Sequence, residues 1–171
     1  MTEIYKGKVI ELSLEKALLP TGKEIELEVV RHPGAGAVVP LRENGNILLV
    51  RQFRNAVGGY LCEIPAGKLE PGENPEAGAA RELEEETGWR AARLTPLVSV
   101  FTSPGFCNER IHLFLGEGLS PGTQSLGEDE VLEVIEMSLS DAVQKIFEGI
   151  IHDAKSIVGI LAAAHIVRRR A

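Results

Sequence analysis

Basic residues, cysteine and long apolar runs are all scarce in this chain, and each shortage removes a class of protein. Of 171 residues, 18 are Lys or Arg against 25 Asp or Glu, a net charge of −7. Nucleic-acid binders normally carry a basic patch. The basic cluster here is Arg168-Arg169-Arg170, and positive charge of that kind suits a helix C-terminus. No nucleic-acid partner is expected. The two cysteines, Cys62 and Cys107, read as reduced thiols, because a cytosolic chain of this size needs no disulfide. No His/Cys cluster has zinc spacing, and His32, His112, His152 and His165 read as structural or surface residues. Met1-Thr2-Glu3-Ile4 opens without the basic run and apolar stretch of a signal peptide. The apolar run Ile157 to Val167 is too short to span a bilayer. The expected location is the cytoplasm, with no membrane partner.

What is present is an ordinary mixture, 44% hydrophobic and 25% charged, enough for one well-cored domain. Tyr5 to Ser13 and Lys23 to Arg31 alternate apolar and polar residues, as half-buried strands do. Leu19-Pro20-Thr21-Gly22 makes a turn between them, giving a predicted N-terminal hairpin. Gly34 to Val39 and Ile47 to Val50 are apolar strands around a hairpin turn, Glu43-Asn44-Gly45-Asn46. Asn74 caps a helix with Pro75 at its first position, and Thr87-Gly88 stops it. Leu94 to Thr102, Ile111 to Leu115 and Val131 to Met137 follow as strands, with a mobile loop over Gly116 to Asp129. Ser140 to Phe147, capped by Ser140, and Lys155 to Arg169 are predicted helices. The order implies an α+β fold.

The chemistry is concentrated around the first helix. Glu82, Glu85 and Glu86 stand at i, i+3 and i+4 and share one helical face. Like charges at that spacing repel. A hard cation such as Mg²⁺ or Mn²⁺ relieves the repulsion and prefers oxygen ligands. The same acids alone would also suit a solvated helix face. Arg81 is placed to pair with Glu85 and orient it, and a glycine-rich stretch precedes the helix, where backbone carbonyls can join a coordination shell.

Gly67, five residues, Glu73, seven residues, then Arg81-Glu82-Leu83-x-Glu85-Glu86-x-Gly88-Trp89 resembles the complete Nudix box. Trp89 stands where a smaller aliphatic residue is commoner. The resemblance implies a Nudix fold, mixed β-sheets sandwiched between helices, over residues 34–171. Residues 1–33 are then extra antiparallel strands that form a homodimer. It also implies that Glu82 and Glu86 are the core metal ligands, with Glu85 close by and the carbonyl of Ala66 a further ligand. Glu73 and Arg81 orient them.

Three stretches outside the box resemble the ADP-ribose pyrophosphatase subfamily. Ser103-Pro104-Gly105-Phe106 carries its proline mark, Val50 to Arg54 its strand with a substrate-facing arginine, and Glu63-Ile64-Pro65-Ala66-Gly67 its approach to the box. The resemblance implies Arg54 for the diphosphate and Glu109 for the terminal ribose. Glu128-x-Glu130 resembles a loop that supplies the general base, giving Glu128 that role and Glu130 a place on the metal, with Glu85 next in line as base. The implied reaction is magnesium-dependent hydrolysis of ADP-ribose to AMP and ribose 5-phosphate. GDP-mannose or another nucleoside diphosphate sugar is the alternative substrate. A non-catalytic ligand-sensing Nudix domain is the remaining alternative, although such domains usually lose box carboxylates and every one is present here.

Overall fold

The computed structural model describes residues 1–127 and 130–170. The N-terminal part is a three-stranded antiparallel sheet of β1 (Thr2–Lys6), β2 (Glu11–Leu18) and β3 (Glu24–Arg31). The expected single strand over Tyr5 to Ser13 therefore breaks in two. It turns where the Gly7 N–H donates to the Ile10 carbonyl at 2.9 Å, and alternation alone cannot locate such a turn. The Leu19–Gly22 turn forms as read, with Gly22 at φ 81° and its N–H donating to the Leu19 carbonyl. This sheet exposes Ile4, Tyr5, Leu18 and Leu27. It meets the rest of the chain along β3, where Val30 N–H donates to the Phe106 carbonyl at 2.7 Å.

The remaining elements are β4 (Ala35–Pro40), β5 (Asn46–Arg54), β6 (Gly59–Glu63), β7 (Ala66–Lys68), α1 (Pro75–Thr87), β8 (Trp89–Phe101), β9 (Arg110–Pro121), β10 (Leu132–Ser138), α2 (Leu139–Phe147) and α3 (Ala154–Arg170). They build a four-stranded sheet in the order β7-β4-β9-β8 and a three-stranded sheet in the order β10-β5-β6. Only the β4–β9 pairing in these two sheets is parallel. A strand in that central place is covered on both faces, and every residue of β4 is buried. The period-two alternation then divides the core. Val38 and Phe114 face α1 with Ala79 and Leu83. Ala37, Val39, Leu113 and Leu115 face the other way, packing with Ile160 and Ala163 of α3. Burying a leucine such as Leu83 contributes about 1.5–3 kcal/mol.

The structure departs from the sequence expectations at three further places. The turn before β5 is tight, with Gly45 N–H donating to Arg42 at 3.0 Å, but β4 and β5 diverge into different sheets. Both strands are apolar on their inward positions, so pattern alone cannot say which partners they choose. The expected loop from Gly116 begins later, because β9 runs to Pro121 and pairs with β8 back to Trp89. Polar composition there reflects an exposed end of a ladder. The α2 cap is Ser138, whose hydroxyl accepts from Asp141 N–H at 3.0 Å, two residues before the expected Ser140.

Candidate active site

Helix α1 starts as its sequence dictates. Asn74 Oδ1 accepts from Glu76 N–H at 2.8 Å, an arrangement whose loss costs about 1 kcal/mol. Gly88 at φ 72° ends the helix and donates to the Glu84 carbonyl. The helix lies hard against β4, since a Cβ on Gly36 would fall 2.7 Å from the Ala79 nitrogen. That close approach aims the acidic face of α1 at β7.

Glu82 and Glu86 are buried, at 8% and 1% exposure. Glu86 Oε2 accepts from Ala66 N–H at 3.0 Å. Burial pushes the Glu86 carboxyl up to about 8, only partly offset by that hydrogen bond, and nearby Glu82 and Glu130 push the same way. Burial also raises Glu82, against the opposing effect of Arg81. Two half-compensated carboxylates beside each other are a place where a cation is favoured. Gly67 leaves room for them, because a Cβ there would lie 2.0 Å from the Glu82 carboxyl carbon.

Arg81 organises this face. It donates to Glu73 through Nε at 3.0 Å and Nη2 at 3.1 Å, and to the Lys68 carbonyl at 3.2 Å. Its Nη1 reaches Glu82 Oε1 at 2.7 Å and Glu85 Oε2 at 2.9 Å. The expected Arg81–Glu85 pair is thus present and extends to two more acids. Glu85 is turned toward Arg81, with its side chain 40% exposed. Among the described residues, no three His, Cys, Asp or Glu side chains converge as a ready-made metal cage. The geometry supplies two buried carboxylates next to β7, and Arg81 holds the third acid aside. Glu130 Oε2 accepts from Gly127 N–H at 2.8 Å, within its own loop. Glu128 lies outside the described residues.

Beside the acids opens a cleft of about 480 Å³, lined by Arg54, Glu63, Ala66, Gly67, Glu109 and Lys155 among others. Arg54 and Glu109 therefore share one cavity with the strand that faces the helix acids. Glu109 Oε2 accepts from the Thr102 hydroxyl at 2.8 Å, and its Oε1 lies 3.5 Å from His32 Nδ1. His32 thus lines the cleft, and its Nδ1 accepts from Gly34 N–H at 3.0 Å. Pro104 is exposed and does not line this cleft. Its turn instead closes with Cys107 N–H donating to Ser103 at 2.8 Å and docks on β3. A larger groove of about 740 Å³ between Leu41, Leu139 and Val167 contains none of the helix acids.

Sequence reading missed the floor of the cleft. Glu63, Asp153 and Lys155 meet there, joined to Arg54. Glu63 was visible only as part of a motif. Lys155 gave one signal, a lysine in the first turn of a helix, where the dipole disfavours it.

The NUDIX domain model matches residues 30–157. An ADP-ribose pyrophosphatase of Bacillus subtilis (strain 168) is 47% identical over 160 residues, covering 92% of this chain and 86% of its own. A methanol dehydrogenase activator of Bacillus methanolicus is 42% identical with the same coverage of both chains, 92% and 86%. A crystal structure of an ADP compounds hydrolase superposes with a TM-score of 0.84 at 19% identity, over 99% of this chain and 92% of that one. At that identity the superposition establishes the shared fold alone. Buried box carboxylates, a matching domain model and a relative of nearly half-identical sequence lead to one conclusion: this chain belongs to the Nudix family.

Proposed function

We propose that the chain is a metal-dependent pyrophosphohydrolase that splits the diphosphate of ADP-ribose into AMP and ribose 5-phosphate. The observation that carries this reading is the pair of buried carboxylates, Glu82 and Glu86, set against Gly67 beside a cleft that contains Arg54. The name of the Bacillus subtilis relative supports the choice of substrate.

In this reading Glu82, Glu86 and the Ala66 carbonyl hold Mg²⁺, for which Mn²⁺ can substitute, and Glu85 and Glu130 contribute nearby charge. An ion held there would supply polarisation of phosphoryl oxygens and acidification of water. Arg81 restrains Glu82 and Glu85, while Glu73 restrains Arg81. Arg54 presents a planar fork suited to a diphosphate, and Glu109, fixed by Thr102, accepts from the terminal ribose. The Pro104 turn contributes from outside this protomer's cleft. Glu128 takes the proton from the attacking water. Residues 1–33 form the contact of a homodimer, supported by the exposed Ile4, Tyr5 and Leu27. Light scattering should return twice the 18.5 kDa chain mass. No helix among the described residues is long and apolar enough to cross a membrane; the proposed site of action is the cytoplasm.

The test is product identification. ADP-ribose with magnesium should yield AMP and ribose 5-phosphate, and excess chelator should stop the reaction. A panel including GDP-mannose decides the substrate, and faster turnover of GDP-mannose would replace ADP-ribose in this reading.

A further inference from the structure

The cleft floor carries more charge than one arginine–carboxylate pair requires. The Glu63 side chain is 2% exposed. Its Oε1 accepts from Arg54 Nε at 2.9 Å, and its Oε2 accepts from Arg54 Nη2 at 2.8 Å and also from Lys155 Nζ. The two-pronged arginine contact already satisfies a carboxylate in strength and geometry. Lys155 is nonetheless held there, 11% exposed, with a second bond to Asp153 Oδ2 at 3.1 Å. Fixing a lysine costs rotamer entropy, and this one stands at the positive end of α3, where a cation is disfavoured. Asp153 is occupied in turn by the Ser156 N–H and hydroxyl. Ser156 Oγ accepts from Ile64 N–H at 2.8 Å, which fastens α3 to the residue after Glu63.

Charge balance gives a reason for the lysine. Burial acts to raise the Glu63 carboxyl, but Arg54 and Lys155 together hold it below its ordinary range, so it is an anion. An anion in the wall of a diphosphate cleft repels the substrate and competes with it for Arg54. Lys155, shared between Glu63 and Asp153, offsets both effects: with Arg54 it balances the two carboxylates of the floor, which would otherwise outnumber the cations.

We propose that Lys155 is a positioning residue that acts through Glu63: by neutralising that carboxylate, it leaves the charge of Arg54 available to the substrate diphosphate. The inference rests on reading the chain as a nucleoside diphosphate hydrolase, and it assigns Lys155 to substrate affinity and not to the chemical step.

The test compares wild type, Lys155→Met, Lys155→Arg and the double variant Glu63→Gln/Lys155→Met. Steady-state kinetics use ADP-ribose with magnesium, and calorimetry uses ADP in chelator, where no turnover interferes. Lys155→Met should raise KM and weaken ADP binding about tenfold, a change equivalent to about 1.4 kcal/mol. Its kcat and half-saturating magnesium should stay within about twofold, on the same free-energy scale. Lys155→Arg should keep wild-type affinity. The double variant should recover it, because neutralising Glu63 directly removes the need for the lysine. A lysine that only braces the fold predicts the opposite for the double variant, which would stay as weak as the single one. That result, or unchanged KM and ADP affinity in Lys155→Met, overturns the proposal. If Lys155→Met does not fold, the double variant against wild type still decides, since it removes the Glu63 anion together with its lysine partner and leaves Asp153 its bonds from Ser156. If wild type hydrolyses no nucleoside diphosphate sugar, the functional reading fails, while ADP affinities across the same variants still decide the role of Lys155.

Discussion

Gly67 and Glu82 are in such close contact that no side chain fits between them: a Cβ on Gly67 would sit 2.0 Å from the Glu82 carboxyl carbon. The Glu82 carboxylate is the free end of a flexible chain, so Gly67→Ala should displace it at small cost to the fold. With Glu82 in its proposed role on the metal, turnover at saturating magnesium should fall at least tenfold, as expected when a reacting group is misplaced by about an ångström. The thermal midpoint in chelator should move by only a few degrees, the equivalent of roughly 1 kcal/mol. Rate and midpoint measured on one preparation check this, and near-normal turnover would show that Glu82 needs no such seat.

Glu82→Gln and Glu86→Gln keep shape and remove charge. Each should lower turnover strongly and raise the magnesium needed for half-maximal rate. Relief of repulsion along α1 should leave the metal-free variants slightly more stable, by a few tenths of a kcal/mol. Magnesium titrations of both variants provide the check, and wild-type rates at limiting magnesium would remove these residues from the metal.

The pH dependence of metal-free stability has a definite sign. Glu86 keeps its proton in the folded state up to about 8, while its ordinary value is 4.5. Between those values the folded state binds more protons than the unfolded one, so this group's contribution to stability falls as pH rises. Above about 8 the contribution is flat. Urea unfolding in chelator from about pH 5.5 to 8, a window inside the Glu86 interval, should show a decline that is clearly shallower in Glu86→Gln, with Glu82, also raised by burial, acting in the same direction. Parallel slopes in the two proteins would contradict the burial argument.

Glu128 and Glu130 separate by readout. As general base, Glu128 should on replacement by Gln lower kcat by roughly 10²–10⁴-fold with KM largely unchanged. Glu130→Gln should instead shift the magnesium requirement. Kinetics of both variants across a magnesium titration make the comparison. A loss under about threefold for Glu128→Gln, well below what a general base contributes, would move the base to the helix acids, Glu85 first.

Local signals in the sequence were reliable where one residue sets one feature. Asn74, Pro75 and Gly88 bound α1 as read, because caps and stops act within a single turn. The acids at i, i+3 and i+4 were legible for the same reason, and Arg81 was correctly paired with Glu85. Partners across the fold were not legible. Whether β4 pairs with β5 or with β9 depends on tertiary packing that two apolar strands do not encode locally. Lys155 meets Glu63 only because Ser156 fastens α3 to Ile64, a contact between segments ninety-two positions apart. Pro104 shows a further limit: a Pro-Gly turn announces itself, but not which surface it will face.

The placement of β4 also orders events in time. Its antiparallel neighbour β7 and the covering helix α1 follow soon after it in the chain, whereas its parallel neighbour β9 is more than twice as far along as β7. Closing the longer loop is the slower and entropically costlier step. Ala66, Glu82 and Glu86 all belong to the nearer segment, so the proposed cation-binding face can assemble before β9 inserts. A cation captured at that stage is already held when the barrier is crossed, and its stabilisation then appears in the rate of folding more than in the rate of unfolding. Stopped-flow refolding should therefore accelerate with magnesium while the unfolding arm barely moves. The reverse pattern would mean that the face is completed only after β9 has docked.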